Sequence, residues 1–267
     1  MTKLEVVKLA VAAEEEIPID IFKSAPLRRR QNILAIGAHP DDVELGIGGI
    51  LAAHQLIGDR ITILTLSDGV NGGTPSERHQ EALNAAELLG ATLLAPGMKD
   101  SEISADLETI RAIEKAVAKS EPDIIYTHSA ADTHQDHRSI HFASLVAGRG
   151  VAGLYCYGAP SLTSDFHPVR FNDITPQLAF KLRLLQCFVS QQHRSYFEAE
   201  LVIAKARYWG SVGRWEYAEP LEVIHERSPG HVELVGYTER SAYALRPPVD
   251  DEPQQHPMRV GIDVYWK

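Results

Sequence analysis

Two short stretches of this chain collect residues able to hold a metal ion and move protons. The first is Ala38-His39-Pro40-Asp41-Asp42; the second is Asp132-Thr133-His134-Gln135-Asp136-His137. Imidazole and carboxylate donors suit zinc, and three protein ligands with an open position describe a catalytic site. Two adjacent carboxylates allow one to bind the metal while the other stays free as a general base. Pro40 fixes φ and stiffens the turn that carries them. His134 and His137 point the same way only if residues 134–137 open a helical turn.

Each motif also has a plainer explanation. An Asp-Asp pair after a strand is often just the N-cap of the next helix, and a lone histidine usually sits in the core or on the surface. On that ground His54, His79, His141, His167, His193, His225, His231 and His256 are set aside, and His128 is assigned a supporting or structural role. What raises the two clusters above this background is where the fold must place them.

Asn32–Gly37 is a short, continuously apolar run, as a buried parallel strand requires. A helical pattern over 43–57 follows, then a β-branched strand at Ile61–Leu66, a helix over about 75–89 ending at Gly90, and a short strand at Thr92–Leu94. Ile103, Leu107, Ile110, Ile113 and Val117 recur at helical spacing. A fourth strand at Asp123–Thr127, a helix over 137–147 and a fifth strand at Leu154–Tyr157 complete the alternation. Beyond residue 175 the pattern is helical, roughly 176–189 and 195–209. This order predicts an α/β fold: a doubly wound, mostly parallel, Rossmann-like sheet with helices on both faces and a C-terminal extension. In the common strand order 3-2-1-4-5, strands one and four are neighbours, and ligands bind in the crevice at their carboxyl ends. Two clusters nearly a hundred residues apart in sequence are thereby expected at one place in space.

The domain reading is an N-terminal extension over 1–31, a catalytic domain over 32–224 and a C-terminal extension over 225–267. Within the last, Pro247–Pro253 reads as an exposed linker and Val260, Ile262, Val264 and Trp266 as one face of a terminal strand. That strand needs a covering surface, supplied by its own domain or by a neighbouring subunit; the latter would make the protein a homo-oligomer. Lys+Arg number 26 against 36 Asp+Glu, a net charge of −10, which argues against nucleic acid as a partner. No run of about 18 apolar residues suggests a membrane span, and the charged N-terminus lacks a signal-peptide core. Two cysteines, Cys156 and Cys187, are too few for a disulfide framework and fit a cytoplasmic protein. There is no serine-hydrolase elbow, P-loop or dinucleotide fingerprint, and Gly46, Gly48 and Gly49 are best explained by close packing of the first helix.

At these residues the chain resembles the LmbE-like, PIG-L-type zinc deacetylases. The likeness rests on Ala38–Asp42 with Glu44 and Gly48-Gly49, on Asp68-Gly69, on the helix from Arg78 to Gly90, and on His134–Arg138. Lys181, Ser190-Gln191 and Tyr217-Ala218-Glu219 look like the family's later landmarks. The resemblance implies one Zn2+ per chain on His39, Asp42 and His137, although another divalent transition metal suits the same donors. It makes Asp41 the general base, His134 the group facing the oxyanion or leaving amine, and Asp136 the residue that orients His134. The implied substrate is a small N-acetylated amino sugar of the N-acetylglucosamine type, losing acetate to leave a free amine. Where mycothiol-pathway members carry a tyrosine two residues before the first histidine, this chain has Asp132. Arg78 is a candidate substrate contact, with a surface pair to Glu77 or Glu81 as its rival explanation. Two other classes compete with the deacetylase: a metal-dependent phosphoesterase and a non-catalytic sugar-binding member of the fold.

Overall fold

The computed structural model describes residues 29–227. The N-terminal stretch over 1–28, the Pro247–Pro253 segment and the terminal alternation at Val260–Trp266 lie outside the described residues. Within them, seven strands form one sheet. Five are parallel: β1 (Asn32–Gly37), β2 (Arg60–Thr65), β3 (Thr92–Leu94), β4 (Ile124–His128) and β5 (Gly153–Tyr157). Their order is β3-β2-β1-β4-β5, as the alternation predicted.

Two further strands were not legible in the pattern. β6 (Arg170–Asp173) and β7 (Ala218–Glu226) extend the sheet antiparallel, with β7 beside β5 and β6 at the edge. Both are half-exposed, and residues such as Glu219, Pro220 and Glu222 disguise the β7 run as polar sequence.

The central strand shows why the parallel run is apolar throughout. Ile33 and Ala35 belong to one core cluster, Leu34 and Ile36 to the other, so both faces of β1 are buried. The first face is covered by α1 (Asp42–Leu56), α2 (Pro75–Leu88), α5 (Leu178–Leu185) and α6 (Ala199–Gly213). The second is covered by α3 (Leu107–Ser120) and α4 (Gln135–Ala147). α2 stops where expected: Gly90 follows it with φ of 60°, a conformation glycine adopts without penalty. Two expectations shift. Leu107 faces solvent at the first position of α3, leaving Ile113 and Ala116 to fill the core. The helix expected over 176–189 ends at Leu185, because Gln186, Cys187 and Phe188 donate to carbonyls three residues back and tighten the chain.

α1 carries the first cluster, and it is kinked at Ile47, whose φ is −138°. The glycines explain how. A Cβ on Gly46 would fall 2.2 Å from the Tyr157 ring and one on Gly49 2.7 Å from Ile174, so only glycine permits the close approach to the sheet. The kink frees backbone groups that burial cannot leave unpaired. Gly49 N–H donates to Glu219 at 3.0 Å and Ile50 N–H at 2.7 Å, while Lys181 Nζ donates to the Leu45 carbonyl at 2.7 Å. Lys181 and Glu219 pair with each other at 2.5 Å, both buried. A buried ion pair thus replaces the missing turn of helix directly behind the candidate site.

Removing one partner leaves the other charge and two amides stranded. Glu219→Ala is expected to destabilise the fold by about 3–5 kcal/mol, whereas Lys181→Met with Glu219→Leu recovers part of that loss. Thermal unfolding of the two variants beside the wild type measures both; a single-variant loss below about 1 kcal/mol would show the pair to be dispensable.

Candidate metal and catalytic site

β1 and β4 are direct neighbours, so the turn after β1 and the start of α4 meet at the sheet's carboxyl end. Asp42 joins them. Its Oδ2 accepts from Ala38 N–H at 3.0 Å and His39 N–H at 2.8 Å, which locks the turn. Its Oδ1 faces His137 Nε2 at 3.4 Å, and His39 Nδ1 lies 3.3 Å from Oδ2. Donors about 2.0–2.1 Å from a tetrahedral ion stand about 3.3 Å apart, so this spacing suits two ligands sharing one ion.

The remaining ring nitrogens face carboxylates. His137 Nδ1 pairs with Asp132 Oδ2 at 2.9 Å, and Asp132 Oδ1 accepts from Ser161 Oγ at 2.6 Å and His134 N–H at 2.8 Å. His39 Nε2 lies 3.1 Å from Asp100 Oδ1 and 3.3 Å from Asp136 Oδ2. Carboxylates behind ligating imidazoles fix ring orientation and raise ligand basicity. His137 Nε2 and His39 Nε2 are both buried without a hydrogen bond, as atoms awaiting a ligand would be.

Among the described residues three overlapping groups could hold a metal: His39–His134–His137, Asp42–His128–His137 and His39–Asp100–Asp136. Asp42 and His137 both line the cavity, and His137 Nε2 is left without a hydrogen bond there. His128 is fully buried, its Nε2 accepts from Ala38 N–H at 3.1 Å, and its ring stacks on His137 at 3.9 Å. That lone pair is committed, so His128 backs the site, as its place at the end of β4 suggested.

The electrostatics are those of a cation site. Burial opposes the charged ring of His39, yet Asp100, Asp136 and Asp42 lift it to about 12. Burial likewise opposes charge on His137, but Asp42 and Asp132 raise it to about 9. The carboxylates that draw protons onto these rings would draw a divalent ion instead. His134 goes the other way: burial and the charges of His137 and His39 lower it, leaving a neutral ring. Its Nδ1 accepts from Asp136 N–H at 3.2 Å as the N-cap of α4, so the proton sits on Nε2.

Here the structure revises one expected role. Asp136 orients His134 through its backbone amide, not through its carboxylate. That carboxylate accepts from Ser101 N–H at 2.7 Å and Ile103 N–H at 3.2 Å and supports His39.

Asp41 occupies a strained backbone, with φ of 101° in a residue other than glycine. Its side chain is buried, and burial and the neighbouring Asp42 push its carboxyl up to about 7, against the pull of Arg78. Arg78 is also buried, which removes the surface-pair explanation. It donates to Asp41 Oδ2 at 2.8 Å, to the Pro40 carbonyl and to Glu81 Oε2 at 3.0 Å. Glu81 in turn accepts from Ser190 N–H at 2.6 Å and Oγ at 2.8 Å. Arg78 lines the cavity wall but spends its terminal nitrogens holding Asp41 rather than reaching outward.

All seven residues singled out in the sequence therefore converge, with a cavity of about 490 Å³ in front of them. Across it stand Arg194, held by Gln191 through a 2.8 Å bond, and Tyr196. Sequence reasoning missed Asp100 and the service of Asp132 to His137. The rule that located the other clusters, polar residues beyond the carboxyl end of a parallel strand, also applies to Asp100 after β3.

Asp100, Asp136 and Asp42 around His39, and Asp42 and Asp132 around His137, favour protonated rings, so a divalent ion bound between the two would have to displace those protons. Calorimetric titration at pH 7 in buffers of differing ionisation enthalpy should report release of more than one proton per ion. Zero release would mean that the ion sits elsewhere.

Comparison with known proteins adds an independent line. Residues 34–147 match the family PIG-L, GlcNAc-PI de-N-acetylase. The uncharacterized deacetylase YaiS of Escherichia coli (strain K12) is 36% identical over 155 residues, covering 55% of this chain and 83% of that protein. The diacetylchitobiose deacetylase of Thermococcus kodakarensis is 26% identical over 235 residues, covering 77% and 88% respectively. The 4-oxalmesaconate hydratase of Pseudomonas putida is 26% identical over 194 residues, covering 61% and 75%. The clusters around His39 and His137 lie within the matched span, and this chain belongs to the PIG-L family of GlcNAc-PI de-N-acetylases.

Proposed function

We propose that this protein is a zinc-dependent N-deacetylase that hydrolyses the acetamide of an N-acetylglucosamine-type amino sugar, releasing acetate and a free amine. One observation carries the reading: a carboxylate free of the metal donors, Asp41, is held on strained backbone between those donors and an open cavity. The family's description and the diacetylchitobiose deacetylase of Thermococcus kodakarensis support the amino-sugar substrate class, and the Escherichia coli relative, named a deacetylase without a substrate, supports the reaction type.

His39 Nδ1, Asp42 and His137 Nε2 would hold the ion. When bound, zinc supplies Lewis acidity toward the acetamide carbonyl and toward water at its open position. Asp41 takes a proton from the attacking water, and Arg78 keeps its carboxylate aimed at the cavity. His134, neutral with its proton on Nε2, donates to the oxyanion as negative charge develops on the carbonyl oxygen. The proton held by Asp41 then passes to the departing nitrogen and the C–N bond breaks, so a neutral amine leaves with acetic acid, which ionises to acetate by giving its proton to solvent. Asp132 takes no part in polarising the carbonyl; it fixes His137.

Acetate and amine release across a panel of N-acetylglucosaminides, with and without chelator, tests the proposal. Turnover should depend on metal, and Asp41→Asn should retain zinc while losing a factor of about 10²–10⁴ in kcat. A chain that released no acetate but hydrated a carbon–carbon double bond, as the Pseudomonas putida relative's name implies for that protein, would sink the reading. Arg78 lowers the Asp41 pKa, so Arg78→Met should move the acid limb of the kcat–pH profile to higher pH. An unmoved limb would mean that Asp41 is not the titrating base.

A further inference from the structure

Beside the candidate site lies a second cavity, of about 370 Å³. The two share Leu45, Pro160 and Tyr196, so they adjoin across a common rim. Their chemistry differs sharply. The first is ringed by carboxylates and imidazoles; the second is lined by Leu162, Phe166, Val202, Ala206 and Trp209. Its aromatic wall is fixed by packing: Phe166 meets Trp209 edge-on at 6.0 Å, and Phe171 stacks on Trp209 at 6.0 Å. Lys181 and Glu219 reach the floor but are committed to each other and to the α1 kink. Lys205 and Tyr208, both exposed, bring an ammonium and a phenol to its outer edge; the interior between them and the committed Lys181–Glu219 pair is concave apolar surface, the ordinary character of a small-molecule subsite.

We propose that this second cavity binds an apolar aglycone, alkyl or aryl, of the amino sugar whose acetamide sits at the His39–Asp42–His137 centre. The inference rests on the deacetylase reading and adds the class of group attached to the sugar. A hydroxyl-rich sugar suits the polar cavity, and the shared rim at Tyr196 and Pro160 gives a covalently attached apolar group a short way across. A free monosaccharide would leave the second cavity unfilled and forfeit that burial.

The test compares acetate release from methyl, hexyl and phenyl glycosides of N-acetylglucosamine, both anomers, by the holoenzyme. Hexyl or phenyl glycosides should exceed methyl in kcat/KM by at least about tenfold, a discrimination that even one well-buried methylene can supply. Val202→Trp, which fills the cavity, and Trp209→Ala, which removes its aromatic wall, should each collapse that ratio toward one. The ratio cancels any general loss of active enzyme in either variant. Equal rates for all glycosides in the wild type would overturn the inference, as would a preference that both variants leave intact. Absence of acetate from every glycoside would instead strike the deacetylase reading. In that event, calorimetric binding of phenyl against methyl glycoside to wild type and Val202→Trp decides the cavity alone, and equal affinities refute it.

Discussion

The Asp42 carboxylate holds the site together. One oxygen gathers the amides of Ala38 and His39 and so sets the shape of the turn after β1. The other looks across the sheet's carboxyl end at His137 on α4. A single side chain thus couples local backbone geometry to a contact between segments nearly a hundred residues apart. The pattern around it is one of layered charge: carboxylates of Asp100, Asp132 and Asp136 stand behind the imidazoles and make them better electron donors. In a buried setting that concentration of negative charge is tolerable only when protons or a cation neutralise it.

Holding such a site steady needs a rigid support, and the support is unusual in being polar. α1 gives up a regular turn at Ile47 so that its glycines can lie against Tyr157 and Ile174. Lys181 from α5 and Glu219 from β7 then stand in for the missing helical hydrogen bonds. The second half of the domain, where the alternation of strand and helix ends, exists in part to deliver these two side chains and the Ser190–Glu81–Arg78–Asp41 chain of contacts.

How much of this could be read from sequence follows from what each feature depends on. β1 and β4 are buried on both faces, so their composition announced them, and the switch-point rule then located both polar clusters. β7 was hidden because Pro220 and the half-buried Glu222 interrupt its apolar run, and its buried Glu219 and half-buried Glu222 serve polar contacts. Arg78 left two readings open for a related reason: Arg78 and Glu81 at helical spacing also look like a surface pair, and nothing in their types reveals burial. Asp136 shows a finer limit. Its adjacency to His134 was correct, but whether amide or carboxylate makes the contact depends on rotamers and on the Ser101–Ile103 loop.

The backbone of Asp41 has an evolutionary consequence. A residue with a side chain held at φ of 101° costs of order 1–3 kcal/mol that glycine would avoid. Drift toward a more robust fold therefore runs directly against the carboxylate at this position. Under the proposed mechanism, a natural relative with glycine there would gain thermal resilience and forfeit its proton acceptor, so that one codon would separate a working hydrolase from a sturdier, silent scaffold.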